Sequence, residues 1–389
     1  MAKTNNHKTV FVGLSGGVDS SVAAYLLKKQ NHNVVGVHIR SWNKDGCDEI
    51  EAEYARRVAE HLGIPFYIFD LEKEYKASVV DYMIHGYKIG LTPNPDVMCN
   101  KEIKFGVFLK KALELGADYV ATGHYVRLKE SRISNKEYRN NPILNSKFYS
   151  LYSALDPSKD QSYFLWTLTQ DQLKHCLFPI GDYKKTEIRK IAKRINLPTA
   201  DKKDSQGICF VGQVSIKDFL KEYLPPKKGK VIDEFGKVVG YHDGVQFYTI
   251  GQRHGLGIGG RARHSFSEGG IKPYYISGKS AKTNTIHIAY GEENPELYRK
   301  EIKLAQVNLI NHIKIPKKGL KLKVRVRYRQ PLAAAQLLKI VPHSAGSRET
   351  GKIVKLKIIF AKEQRFIAPG QSAVIYDKNG AMLGGGVIL

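Results

Sequence analysis

Residues Thr9 to Gln30 read TVFVGLSGGVDSSVAAYLLKKQ: an apolar run, a turn of small residues, then a helix-forming run. An apolar run without polar alternation marks a strand covered on both faces, as in parallel sheets wrapped by helices. A strand that passes through glycines into a helix also makes an anion site. The leading N–H groups of the helix point outward, its dipole favours negative charge, and glycine lets the backbone approach phosphate closely. The turn is not G-x-x-x-x-G-K-[ST], because no lysine follows the second glycine, and it is not G-x-G-x-x-G. Neither a kinase-type phosphate loop nor a dinucleotide fingerprint fits. Asp19 is expected as a magnesium ligand or a helix N-cap rather than as a phosphate contact.

The pattern repeats. VVGVHI (34–39), PFYIF (65–69) and DYVATG (118–123) read as strands, with helical stretches at 48–62, 72–87 and 101–115 between them. Repeated βα units predict an α/β fold with a mostly parallel, doubly wound sheet. Residues 130–147 are polar and irregular and are expected to form an exposed loop, and 184–196 returns to helix. After about residue 215 the chain becomes strand-rich and glycine-punctuated. Leu320, Leu322, Val324, Val326 and Tyr328 alternate with Lys321, Lys323, Arg325, Arg327 and Arg329, which predicts one strand with a five-residue cationic face. KIVKLKIIF (352–360) alternates similarly, with Lys355 and Lys357 opposite Leu356 and Ile358. A terminal barrel or sandwich follows.

The 389 residues are ample for two or three domains. The boundaries are set at 1–214, 215–297 and 298–389. Lys and Arg total 62 against 37 Asp and Glu, a formal charge of +25 that suits a polyanionic partner, nucleic acid first. No apolar run approaches the ~20 residues needed to span a bilayer. A first strand near residue 9 leaves no room for a signal or transit peptide, so a cytoplasmic protein without membrane association is expected.

The four cysteines, Cys47, Cys99, Cys176 and Cys209, form no C-x-x-C pair and no disulfide framework, which fits a reducing compartment. Two stand in reactive settings. Cys99, in TPNPDVMCNKEIKFG (92–106), is placed ahead of a helix starting near Asn100, with Lys101 and Lys104 close by to favour its thiolate. Asp96 is three residues earlier, within range of acid–base work. Cys209, in KKDSQGICFVG (202–212), sits in a glycine- and lysine-containing loop. Cys176, among apolar neighbours in LKHCLFPI, reads as core.

Ser15–Ser20, SGGVDS, resembles the pyrophosphate loop of ATP pyrophosphatases, which split ATP into AMP and pyrophosphate. Together SGGVDS, NPDVMCNKEIKFG, ATGHY, KDQSYFL, DSQGICFVG, GQRHGLGIGG and RYRQP, in that order, are similar to the tRNA-specific 2-thiouridylases from about Val10 to Gly386. The resemblance implies an N-terminal adenine nucleotide α-hydrolase-like domain, a small central domain and a C-terminal β-barrel. It also implies replacement of the 2-oxygen of the wobble uridine by sulfur in tRNAs for Lys, Glu and Gln.

By that resemblance, ATP is bound by Gly13, Leu14, Ser15, Gly16, Gly17, Val18, Asp19 and Ser20, with Ile39 near the adenine and Gly123 completing the pocket. Asn94, Pro95 and Asp96 meet the target base. Cys99 is the nucleophile and Cys209 carries the incoming sulfur as a persulfide. Lys159, Asp160, Gln161, Tyr328 and Arg329 contact tRNA, and His124 and Gln371 match positions associated with tRNA specificity. The implied partners are tRNA and a persulfide sulfur-donor protein of a relay or a cysteine desulfurase, around a monomer that uses ATP and magnesium. The chemistry is coherent: adenylation makes the uridine oxygen a leaving group, a persulfide attacks, and a second thiol releases the product as a disulfide forms. The two cysteines must then bring their Cα atoms within about 7 Å. An iron–sulfur cluster on Cys99 and Cys209 with Asp96 or Cys47 stays open, as does an ATP-pyrophosphatase ligase acting on a small metabolite, which would not need Cys99.

Overall fold

The computed structural model describes residues 7–42, 47–132, 147–204, 215–256, 258, 272–311, 313–340 and 355–389. The first strand, β1 (Thr9–Gly13), buries Val10, Phe11 and Val12, as its unbroken apolar run predicts. It leads through the small-residue turn into α1 (Val18–Lys29). Strands β2 (Asn33–Arg40), β3 (Phe66–Asp70) and β4 (Tyr119–Ala121) pair in parallel with one another or with β1, and a short β7 (Cys176–Leu177) extends the edge. The order is β3-β2-β1-β4-β7. The winding direction reverses at β1, so a crevice opens between the carboxyl ends of β1 and β4, the ligand position in doubly wound sheets. Helix α2 (Cys47–Leu62) follows β2.

Two helical runs differ from the expected plain α-helices. Residues 72–88 contain a π-helical turn, Lys76–Val80. The run carrying Cys99 begins at Pro95, not near Asn100, and is π-helical over Cys99–Val107. Asn94 is its N-cap and accepts from the Val97 N–H at 3.2 Å, while Pro95, lacking an N–H, fits the first helical position. A start signal of Asn followed by Pro therefore begins the helix five residues before the expected start at Asn100. An antiparallel pair, β5 (Val126–Arg132) and β6 (Lys147–Ser153), occupies both ends of the expected 130–147 loop, whose middle lies outside the described residues.

The central part is a four-stranded sheet ordered β10-β11-β8-β9, from β8 (Gly229–Ile232), β9 (Val238–His242), β10 (Tyr274–Ser280) and β11 (Thr285–Tyr290). The last part closes into a six-stranded barrel, β12-β15-β14-β13-β16-β17. Its strands are β12 (Tyr298–Leu309), β13 (Leu320–Arg325), β14 (Ala333–Ile340), β15 (Lys355–Arg365), β16 (Ser372–Tyr376) and β17 (Met382–Ile388). Leu322, Val324, Leu356, Ile358 and Phe360 fill its interior, which follows from their alternation. The predicted five-residue cationic strand face is not found. Strand β13 ends at Arg325 and the chain turns over 326–329, with Arg329 at φ +63. Lys321 and Lys323 stay exposed, whereas Arg325 turns inward to a buried carboxylate.

Candidate active site

The small-residue turn is held by its own groups. Leu14 N donates to Val37 O at 2.8 Å, tying the turn to β2. Ser20 Oγ accepts from Ser15 N at 3.2 Å and donates to Gly17 O at 3.1 Å, and Ser21 Oγ donates to the same carbonyl at 2.8 Å. Gly16 has φ +69, and a Cβ there would lie 2.4 Å from Glu51 O, so both conformation and space demand glycine. Gly123, just past β4, meets α1 edge-on: a Cβ would stand 2.6 Å from Ser20 N and 2.8 Å from Asp19 C. The N-cap of α1 is Gly17, not Asp19, and it supplies no side-chain acceptor. The first-turn N–H groups therefore remain suited to an anion. Ile39 is partly buried near the carboxyl end of β2, paired with Phe69 of β3.

The lysine that the turn lacks comes from elsewhere in the chain. Lys185, first residue of the helix Lys185–Arg194, donates to both Asp19 oxygens at 2.8 Å and to Asp204 at 2.8 Å. Tyr125 OH also donates to Asp19, at 2.8 Å. Asp204 further receives Lys159 at 2.8 Å and Arg189 at 2.7 Å. Burial alone would raise the Asp204 carboxyl, but the Lys159 and Lys185 ammonium groups hold it well below the usual carboxylate range. Lys202 donates to Gly16 O at 3.1 Å and Glu51 at 2.7 Å, with its ammonium 3.9 Å from the Tyr54 ring centre. Four cations thus gather where the sequence showed only small residues. Lys185 and Arg189 were not singled out by motif reading, because in a lysine-rich chain nothing local sets them apart; Lys202 was noted only as part of the lysine-containing loop that carries Cys209.

The second element is the Cys99 run. Cys99 is half-buried and forms no disulfide among the described residues. It is the fifth residue of the helical run, beyond the first turn, so the N-terminal dipole acts on it only weakly. Asp96 is half-buried; burial raises its carboxyl above the ordinary value, and Lys104 opposes the rise. His124 is buried, accepts or donates at 2.7 Å to Thr122 Oγ1, and packs against Phe105 and Phe178. Burial first, then Lys104, depresses it well below the ordinary histidine value, so its ring is neutral. Residues 121–125 therefore connect the two elements: Gly123 against α1, His124 against the run that follows Cys99. Cys209 lies outside the described residues, as does the side chain of Cys47, so the expected cysteine approach is not addressed. Cys176 is core, 1% exposed, with Sγ donating to Gln172 O at 3.1 Å and its thiol pushed up by burial.

Of the expected RNA contacts, some face outward and some do not. Arg329 is exposed and lies over the Tyr328 ring, which packs on Phe164 at 4.5 Å between centroids. Lys159 reaches Asp204 at the phosphate-side cluster. Asp160 is only 4% exposed; it accepts from Ala154 N, Ser162 N and Arg325 Nη1, the last at 2.9 Å, joining the catalytic part to the barrel. Gln161 Oε1 accepts from Tyr125 N at 2.9 Å. Gln371 donates to backbone carbonyls of residues 92 and 93. Asp160, Gln161, His124 and Gln371 are thus engaged within the protein.

Comparison with known proteins agrees with this organisation. Residues 8–213 match a family described as tRNA methyl transferase HUP domain, 217–290 a tRNA methyl transferase PRC-barrel domain, and 299–388 an aminomethyltransferase beta-barrel domain. Proteins named tRNA-specific 2-thiouridylase MnmA are similar over their whole length. That of Geobacillus thermodenitrificans is 42% identical over 393 residues, covering 100% of this chain and 96% of the relative. That of Listeria monocytogenes is 42% identical over 395 residues with the same coverage. That of Francisella philomiragia is 42% identical over 385 residues, covering 98% of this chain and 99% of the relative. The domain descriptions speak of methyl transfer and the relatives' names of thiolation; full-length identity outweighs a domain description. With all three domains matched in order and this identity end to end, the chain belongs to the tRNA-specific 2-thiouridylase family.

Proposed function

We propose that this chain uses ATP to activate O2 of the wobble uridine in tRNAs for Lys, Glu and Gln and replaces it with sulfur. One observation carries the reading: the phosphate-binding turn with its cation cluster is joined through residues 121–125 to the run bearing Asp96 and Cys99. ATP lies over Gly13–Ser20 and Gly123, its adenine toward Ile39. Lys185 and Lys202 exchange Asp19, Asp204 and Glu51 for phosphate oxygens. Uridine O2 attacks the α-phosphorus and the bond to the β-phosphate oxygen breaks, releasing pyrophosphate to the N–H groups and ammonium ions of the site. The terminal sulfur of a Cys209 persulfide then attacks C2 and AMP departs. The Cys99 thiolate takes the Cys209 sulfur, forming a disulfide and freeing 2-thiouridine; an external thiol reductant restores both cysteines. Asp96, its carboxyl raised by burial, takes the N3 proton of the uridine as O2 attacks phosphorus and returns it to N3 when the 2-thiouridine is freed.

Lys185 donates to both Asp19 oxygens; once it turns to phosphate, the Asp19 carboxylate would be available to magnesium. Magnesium enters, on this reading, bound to the phosphates of ATP as substrate. Asn94 and Pro95 shape the base pocket; Arg329, Tyr328 and Lys159 meet RNA. The boundaries 214/215 and 297/298, a monomeric cytoplasmic enzyme, and a persulfide-donor protein complete the proposal. No helix among the described residues is long and apolar enough to cross a membrane. The test is single-turnover ATP cleavage by persulfide-loaded enzyme: AMP and pyrophosphate form only when substrate tRNA is added. Cleavage to ADP and phosphate, or AMP release at the same rate without tRNA, overturns the reading.

A further inference from the structure

Residues 90–93 join the helical run 72–88 to the Asn94-capped run that carries Asp96 and Cys99, and all three parts of the molecule converge on them. From the barrel side, Thr92 N donates to Pro369 O at 2.8 Å. Gln371 Nε2 donates to Thr92 O at 2.8 Å and to Pro93 O at 3.4 Å. Between those contacts Gly370 adopts φ +91, and a Cβ there would stand 2.9 Å from both Leu91 Cβ and Thr92 N. From the central sheet, Lys279 Nζ donates to Tyr248 O at 2.7 Å and reaches Leu91 O at 3.4 Å, and Thr92 Oγ1 meets Thr249 Oγ1 at 3.4 Å. Thr92 is 6% exposed, so its carbonyl has lost water and requires a protein donor. Neither Pro93 nor Pro95 has an N–H, so the turn cannot close itself with backbone donors from those residues.

We propose that Gln371 is a positioning residue: from the C-terminal barrel it holds the carbonyls of Thr92 and Pro93 and so fixes the Asn94–Asp96 segment ahead of Cys99. An amide with two N–H groups suits two adjacent carbonyls, whereas a carboxylate of the same shape would oppose them. A shift of the barrel, where tRNA docks on the proposed reading, is thereby transmitted to the segment that meets the base. The kinetic part of the proposal rests on the thiolation reading; the structural part does not.

The experiment compares Gln371→Glu, Gln371→Ala and Gly370→Ala with the full-length wild type. Amide hydrogen exchange over residues 91–98 is expected to quicken tenfold or more in each variant, while residues 9–29 keep their wild-type rates. Single-turnover thiolation at saturating tRNA and ATP is expected to fall tenfold or more, with the tRNA Kd within twofold. Unchanged exchange at 91–98 overturns the proposal whatever the activity does. So does weakened tRNA binding with an unchanged saturated rate, which would make Gln371 an RNA contact. If Gln371→Glu fails to melt cooperatively, Gln371→Ala decides, because it removes the donors without adding a buried charge. If the wild type proves inactive in thiolation, exchange alone decides.

Discussion

Gly123→Ala adds one methyl group at the place where the loop after β4 meets the phosphate-binding turn. The added Cβ would lie 2.6 Å from Ser20 N, 2.8 Å from Asp19 C and 2.9 Å from Ser20 Cα, all backbone atoms that no rotamer change can move. An ordinary contact begins at 3.4 Å, so the two segments must part by about 0.8 Å (3.4 less 2.6). Overpacking of this kind costs about 1–3 kcal/mol, partly offset by about 0.4–1 kcal/mol from the stiffer unfolded chain. With a net cost of about 1–2 kcal/mol, the N-terminal part should lose roughly 2–8 °C in melting temperature. The displacement falls on the first turn of α1, whose N–H groups are to hold phosphate. Loss of one hydrogen bond to a charged oxygen, about 1.5–3 kcal/mol, weakens ATP binding roughly tenfold to 150-fold. Titration calorimetry with ATP and thermal melting measure both. An ATP Kd within twofold of wild type would refute the placement of ATP against this turn.

Further expectations concern the charges. Lys185→Met removes the ammonium between Asp19 and Asp204, and ATP affinity should drop about tenfold or more; stability should fall by only about 1–2 kcal/mol, since Asp204 keeps Lys159 and Arg189. Unchanged ATP affinity would remove Lys185 from the phosphate site. Asp96 has its folded pKa raised by burial, so its contribution to stability is full below the ordinary value of 3.8 and is lost as pH rises through the folded pKa. Asp96→Asn should therefore melt higher than wild type at neutral pH, the difference closing as pH falls toward 3.8; a difference independent of pH would contradict it. Arg325→Ala strands the Asp160 carboxylate in a site only 4% exposed and should cost about 3–5 kcal/mol in denaturant unfolding, with Asp160→Asn in the same chain restoring part. No recovery in the double variant would show that Arg325 acts through packing instead.

The parallel sheet was legible from unbroken apolar strands such as Val10–Val12; alternation such as Leu356, Ile358 and Phe360 showed a strand-rich last part but left barrel and sandwich open, and only the family resemblance chose the barrel. The phosphate turn was legible too, being local. Features that depend on distant partners were not. Lys185 stands 166 positions from Asp19, and no spacing rule connects them. Arg325 continues a perfect alternation, yet a buried carboxylate 165 positions away draws it inward and ends the cationic face. The placement of Cys99 failed differently: Asn94 and Pro95 are a helix start signal, whereas the helix was expected to start near Asn100. His124 and Gln371 matched by position, but only the fold shows that one is packed between Phe105 and Phe178 and the other grips a backbone turn.

The fate of sulfur tests thiolation most directly. Purified enzyme, unmodified substrate tRNA, ATP and a persulfide donor are incubated, and the tRNA is digested and its nucleosides analysed by mass spectrometry. The expected result is 2-thiouridine at the wobble position in amounts equal to the AMP released, none with Cys99→Ser, and the wild-type yield with the core variant Cys176→Ala. AMP release without 2-thiouridine, or full 2-thiouridine formation by Cys99→Ser, would contradict it.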